Sequence, residues 1–246
     1  MSGVAIGEPI MLRHARLHLA LHRLREGVGG TLLLLHGLGE QSPAELHPVV
    51  AASWPGSVYA LDFAGHGRSG TSEAGGYTCE FLLADVDIAL AHLGPCTLLG
   101  RGLGGYIAVL AAGARPDLVR GAIVADGPGL SGGGQRPIGT RIHAPEYRAS
   151  VRTPDPYVFL ELGADVRPSD YVSAFVQLAV RESGLDQPVT VAAISRPPWI
   201  TAILSDYGVG KATLGEALRD YANLVDAVDA ADVAEVANSV GRADPV

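Results

Sequence analysis

The 246-residue chain is 48% hydrophobic and 18% charged, a balance that excludes disorder and coiled coil as the main architecture and suits a globular domain burying roughly 70% of its unfolded surface. Its formal net charge of -8, from 18 basic and 26 acidic residues, argues against nucleic acid and anionic membranes as partners, because both select a basic surface. The 32 glycines and 16 prolines fall between apolar segments without a repeat period, which excludes collagen and solenoids.

Strand-length apolar runs alternate with segments of helical period, the pattern of a mostly parallel sheet with helices on its faces. Alternating Leu17, Leu19 and Leu21 predict a half-exposed edge strand within Arg16 to Leu24. A strand from Thr31 to Leu35, a helix around Pro43 to Ser53 and a strand from Val58 to Asp62 follow, then a glycine-rich loop from Gly65 to Gly76. Thr78 is placed to cap a helix with Leu82, Val86, Ala89, Leu90 and Leu93 on one face. Strand Cys96 to Leu99, a tight glycine turn, helix Leu103 to Ala114 and strand Gly121 to Ala125 make a βαβ unit. From Gly127 to about Pro168 the chain is rich in Pro, Gly and Arg, and reads as an insertion over the sheet edge. A helix from Ser169 to Glu182, a strand from Val189 to Ile194 and short helices around Trp199 to Leu204 and Leu214 to Leu224 complete a single domain over 1–225. The acidic end, 226–246, reads as a docked helix or a tail.

Three patterns in this order carry chemistry: LLLLHGLG from Leu32 to Gly39, ALDFAGHGRSG from Ala60 to Gly70, and LLGRGLGGYIAVLAA from Leu98 to Ala112 followed by GAIVADGPG from Gly121 to Gly129. Over about residues 16 to 130 they resemble the α/β-hydrolase superfamily. The resemblance implies that the HG loop lends the Leu38 N–H to an oxyanion hole, that the GHGRS loop braces the neighbouring strand end, and that the turn after Leu98 to Gly100 is the nucleophile elbow. It also implies that the Leu103 N–H faces the same oxyanion, and that His36, Leu38, Arg101, Gly102 and Leu103 form the ligand-binding floor.

The elbow lacks its nucleophile, because Gly102 stands where the family carries serine. The family's late acid position falls in VTVAAISRPPW, Val189 to Trp199, where Arg196 and Pro197 stand instead of a carboxylate. All eight histidines precede residue 144, so none follows the last strands as the family's base does. Asp126, ending the strand after the elbow helix, is the remaining candidate acid, with a carboxylate capping the Gly-Pro-Gly turn as its structural alternative. His36 and His66 match loop positions of the family that are structural more often than catalytic, and Ser69 reads as a loop hydroxyl capping backbone groups.

GRGLGG, Gly100 to Gly105, also satisfies a dinucleotide fingerprint, with Asp126 closing the next strand. That alternative leaves the HGLG and GHGRSG loops without a purpose. The chain therefore reads as an α/β-hydrolase fold without a Ser-His-Asp triad, a pseudoenzyme that binds a small apolar or carboxylate- or carbonyl-bearing ligand, or a partner. An enzyme using the fold without serine and a dinucleotide-binding protein are the alternatives. No cofactor and no metal are expected. Cys79 and Cys96 are too few for a zinc site or a disulfide framework and are expected as reduced core thiols. No leader-like segment and no run of ~18 apolar residues is seen, so a cytoplasmic location is expected. Lys211 is the one lysine, an arginine bias expected of a GC-rich bacterial genome. Arg136, Arg141, Arg148 and Arg152 of the insertion are candidates for an anionic ligand.

Overall fold

Short β-rich runs separated by glycine turns become eight strands of one sheet in the computed structural model, which describes residues 7–133 and 153–225. In chain order the elements are β1 (Ile10–His14), β2 (Leu17–Arg25), β3 (Thr31–Leu35), α1 (Pro48–Ser53), β4 (Val58–Leu61), α2 (Cys79–Leu93), β5 (Cys96–Arg101), α3 (Leu103–Ala114) and β6 (Val119–Ala125). Then come α4 (Pro156–Glu161), α5 (Ser169–Glu182), β7 (Val189–Val191), α6 (Pro198–Ile203), β8 (Val209–Lys211) and a helix, α7, over 214–225. The strand order is β1-β2-β4-β3-β5-β6-β7-β8. The pairings of β1 with β2 and of β2 with β4 are antiparallel, and all others are parallel. This is the α/β-hydrolase architecture that the motifs imply.

The expected edge strand is not at the edge. β2 is covered by β1, a strand the sequence pattern did not reveal, and the run from Leu19 to His22 is buried accordingly. The first helix also covers less than the expected Pro43 to Ser53, because residues 43–47 run as loop and His47 caps α1. Ser69 behaves as a loop hydroxyl: it accepts the Ala20 N–H and donates to the Asp62 carbonyl, tying the GHGRS loop to β2.

Alternation along the central strands separates two apolar layers. Leu33, Leu35 and Leu98 face α2, α3, α5 and α6, whereas Leu32, Leu99 and Ile123 face Val50 and Trp54 of the α1 region and Leu218 and Tyr221 of α7. Helix α3 is buried from Leu103 to Gly113 and has no polar face. A helix apolar on all sides needs neighbours on all sides, and α3 packs against the sheet, α2 and α5. Its close crossing of the sheet is set by glycine: a Cβ on Gly104 would lie 2.7 Å from the His36 carbonyl oxygen, and one on Gly113 would lie 2.7 Å from the Phe175 Cα. The described part of the insertion lies over the carboxyl ends of the central strands instead of the sheet edge. Asp155 N–H donates to Gly65 O, Tyr77 O–H donates to the Asp155 carboxylate, and Glu161 accepts the Gly76 and Tyr77 N–H groups. Arg136, Arg141, Arg148, Arg152 and the end 226–246 lie outside the described residues.

Gly104→Ala is expected to lower stability by about 1–3 kcal/mol, the usual effect of overpacking against unyielding backbone. Urea unfolding checks it, with a Gly7→Ala control at a position where a Cβ meets no atom within 4 Å and the backbone does not lie in the left-handed region.

Candidate functional site

Strand β5 ends at Arg101 and α3 begins at Leu103, so one residue makes the reversal. That residue, Gly102, sits at φ 59 and ψ -120, a conformation that would strain any other residue by about 1–3 kcal/mol. The turn is pinned by Gly102 N–H donating to Ala125 O at 3.0 Å.

The two amides expected to form an oxyanion hole do converge, and they converge on the chain itself. Leu38 N–H donates to the Pro128 carbonyl at 3.0 Å, and Leu103 N–H donates to the same oxygen at 2.9 Å. A Cβ built on Gly102 would overlap this oxygen and lie 2.6 Å from the Gly127 carbonyl carbon. The volume over the elbow is therefore filled by the Gly127–Pro128–Gly129 turn. The other amides of the first turn of α3 are also engaged, Gly104 N–H with His36 O and Gly105 N–H with Gly102 O. A pyrophosphate cradle needs those donors free, so the arrangement speaks against the dinucleotide alternative.

His36 and His66 hold the two loops together as neutral rings. His36 donates from Nδ1 to Gly37 O at 2.8 Å and accepts the Phe63 N–H at Nε2. His66 donates from Nδ1 to Ala64 O at 3.1 Å and accepts the Gly39 N–H at Nε2. Each ring uses one nitrogen as donor and one as acceptor, which only the neutral tautomer can do. Burial, reinforced at His66 by the neighbouring His36, pushes His66 down to about 3, and burial lowers His36 as well. Neither ring has a nitrogen left for a proton relay. Asp62 is also committed: against the cost of burial, bonds from His22 and from the Arg68 and Ser42 N–H groups hold its carboxyl far below the usual range. His14 lies 2.5 Å from the buried Asp85, a second histidine–carboxylate pair, and like His22 it belongs to the antiparallel strands β1 and β2 rather than to the elbow.

Asp126 does not cap the Gly-Pro-Gly turn. Its carboxylate accepts the N–H groups of Ile194 at 2.6 Å and Ser195 at 2.9 Å, bracing the loop after β7. Desolvation would raise its pKa, but these bonds prevail and lower it, so it is held ionised. Arg101 pairs with Glu40 through Nε at 3.0 Å and donates to Asp126 O, while Glu40 accepts the Gly37 N–H. This chain of contacts links the HG loop to the end of β5. Trp199 is buried and spends its indole N–H on Leu130 O at 2.7 Å, so it offers no surface to a ligand over the elbow. Cys79 and Cys96 are buried free thiols, and burial pushes Cys96 up to about 12. A cavity of about 330 Å³ is bordered by Cys79, Glu80, Tyr106, Asp165 and Tyr171, but not by Leu38, Gly102 or Leu103. Among the described residues no three His, Cys, Asp or Glu side chains group to hold a metal, and no helix is long and apolar enough to cross a membrane.

Pro128 and Glu40 are the site residues that sequence reasoning missed. The tripeptide Gly127-Pro128-Gly129 announces a turn, but nothing in it announces where its carbonyl will point.

Residues 27–151 match the family model described as serine aminopeptidase, S33. Among curated proteins, (E)-2-((N-methylformamido)methylene)succinate hydrolase of Acinetobacter baylyi is 33% identical over 107 residues. The match takes in 43% of this chain and 41% of that hydrolase, so the chain spans less than half of this relative's length. Among solved structures, the thioesterase domain from the curacin biosynthetic pathway has a TM-score of 0.57 at 15% identity, over 92% of this chain and 98% of that one. The ferulic acid complex of Est1E from Butyrivibrio proteoclasticus has a TM-score of 0.54 at 14% identity, over 89% and 99%. At these identities the structures speak for the fold alone.

The two neutral rings set a pH dependence. Unfolded histidine takes up a proton near 6.5 while folded His66 waits until about 3, so the unfolded state binds more protons in between. Stability from this group is complete above about 6.5 and declines as pH falls toward 3. Urea titrations of the wild type and His66→Gln from pH 8 to pH 4 are expected to differ in slope by about one proton below pH 6.

Proposed function

Because the chain belongs to the serine aminopeptidase S33 family of α/β-hydrolase-fold proteins, we propose that it is a non-hydrolytic member, a pseudoenzyme whose role is to bind a small molecule or a protein partner. The single observation that carries this reading is Gly102 at the elbow with the Pro128 carbonyl above it. Acyl transfer through a serine enzyme needs a nucleophile, a base to take its proton and two donors for the oxyanion. Here the first is glycine, the donors are engaged, and the histidine rings on the adjoining loops are locked in backbone contacts. The ligand chemistry in keeping with the site is an apolar body with a carboxylate or carbonyl that takes the place of the Pro128 oxygen, since the two amides suit an oxygen acceptor.

A second reading, a hydrolase working without serine, draws support from the likeness to the Acinetobacter baylyi hydrolase. It would have to recruit Asp126, whose oxygens already accept two backbone N–H groups. Asp126→Asn would then abolish turnover, and under the first reading there is no turnover to lose.

Incubation of the full chain with short p-nitrophenyl esters and a serine-directed phosphonate is expected to give neither a burst nor a covalent adduct. Either result would overturn the non-hydrolytic reading. Gly102→Ser alone is expected to leave hydrolysis at background, because triad members act as a unit, and to lower the melting temperature.

A further inference from the structure

The Pro128 carbonyl meets both hole amides at ordinary hydrogen-bond length, the geometry a tetrahedral oxyanion would take in a working hydrolase. Three glycines clear the way for it. A Cβ on Gly37 would lie 2.9 Å from both the Pro128 oxygen and its Cδ, one on Gly102 would overlap the oxygen, and one on Gly129 would lie 2.6 Å from Leu38 Cβ. Gly129 also adopts φ 75, which a side chain would resist.

The turn is fastened from behind by buried donors. Arg167, 5% exposed, donates from Nη1 to the carbonyls of Gly129 and Leu130, and Trp199 donates to Leu130 O at 2.7 Å. The guanidinium lies 4.9 Å over the Tyr106 ring, and Tyr106 meets Trp199 edge-on at 5.3 Å. Arg167 and Trp199 thus form one packed unit with the helix that carries the hole. A carbonyl tethered this way faces its donors at a high effective concentration that a free ligand must outcompete.

We propose that the 127–130 turn is an internal stopper of the oxyanion hole, latched by Arg167 and Trp199, which keeps carbonyl and carboxylate groups from the Leu38 and Leu103 amides until the latch opens. This rests on the reading of the elbow as a non-hydrolytic binding site and adds how that site is regulated.

The test is amide exchange and ligand titration by NMR on the full chain, with benzoate as the probe, for the wild type, Trp199→Phe and Gly102→Ala. Trp199→Phe removes the indole donor and the five-membered half of the ring from the latch while keeping an aromatic side chain against Tyr106, and Gly102→Ala pushes the oxygen out from below. In the wild type, the Leu38 and Leu103 amides are expected to exchange as slowly as β3 and β5 amides and to stay unmoved by benzoate. In both variants they should exchange on the order of tenfold faster and shift on addition of benzoate, while α5 amides keep their wild-type protection and report an intact fold. Benzoate shifting both amides of the wild type would overturn the proposal. So would unchanged exchange in the two variants, or an opened hole that benzoate still leaves unmoved. Ester turnover is read separately: it would remove the non-hydrolytic reading while leaving the exchange result to decide the stopper.

Discussion

The crossing of α3 over the carboxyl ends of β3 and β5 is the constraint on which the rest depends. Gly100, Gly104 and Gly105 let backbone meet backbone there, and Gly104 N–H reaches across to His36 O. That contact, with the Glu40 bridge from Gly37 to Arg101, holds the HG loop against the elbow and brings the Leu38 and Leu103 amides to one point. Were α3 a side chain's thickness farther from the sheet, the two donors would not share an acceptor.

Around this crossing the imidazoles and the carboxylate nearest the elbow serve as backbone struts. His36 and His66 each bracket a loop amide and a loop carbonyl, and Asp126 gathers the two amides after β7. Buried loops have few ways to satisfy their N–H and C=O groups, and neutral imidazoles supply one donor and one acceptor each.

The legibility of the fold followed the strength of local signals. β3, α3 and α5 were read to the residue, because a four-leucine run, a glycine-flanked apolar helix and an amphipathic face leave little choice. β1 was invisible because only Leu12 is buried, and β8 because three residues carry no period. α4 was hidden in a Pro-rich stretch, where Pro156 opens the helix instead of breaking it. At the site, the convergence of Leu38 and Leu103 was implied by the family resemblance of the HGLG and GRGLGG motifs, whose glycines and strand ends set backbone direction. The partner of those amides could not, because a main-chain oxygen is common to every residue and leaves no mark on the sequence.

The glycine at 102 has a consequence for the history open to this chain. A side chain at the elbow and the present path of the 127–130 turn exclude each other sterically, so each protects the other from change. A codon substitution placing a hydroxyl at 102 would meet a filled space, and rerouting the turn would strip two amides and two buried donors of their acceptors. A side chain at 102 and the present turn can therefore be exchanged for one another only through less stable intermediates, and the two features are tied together as a single heritable unit.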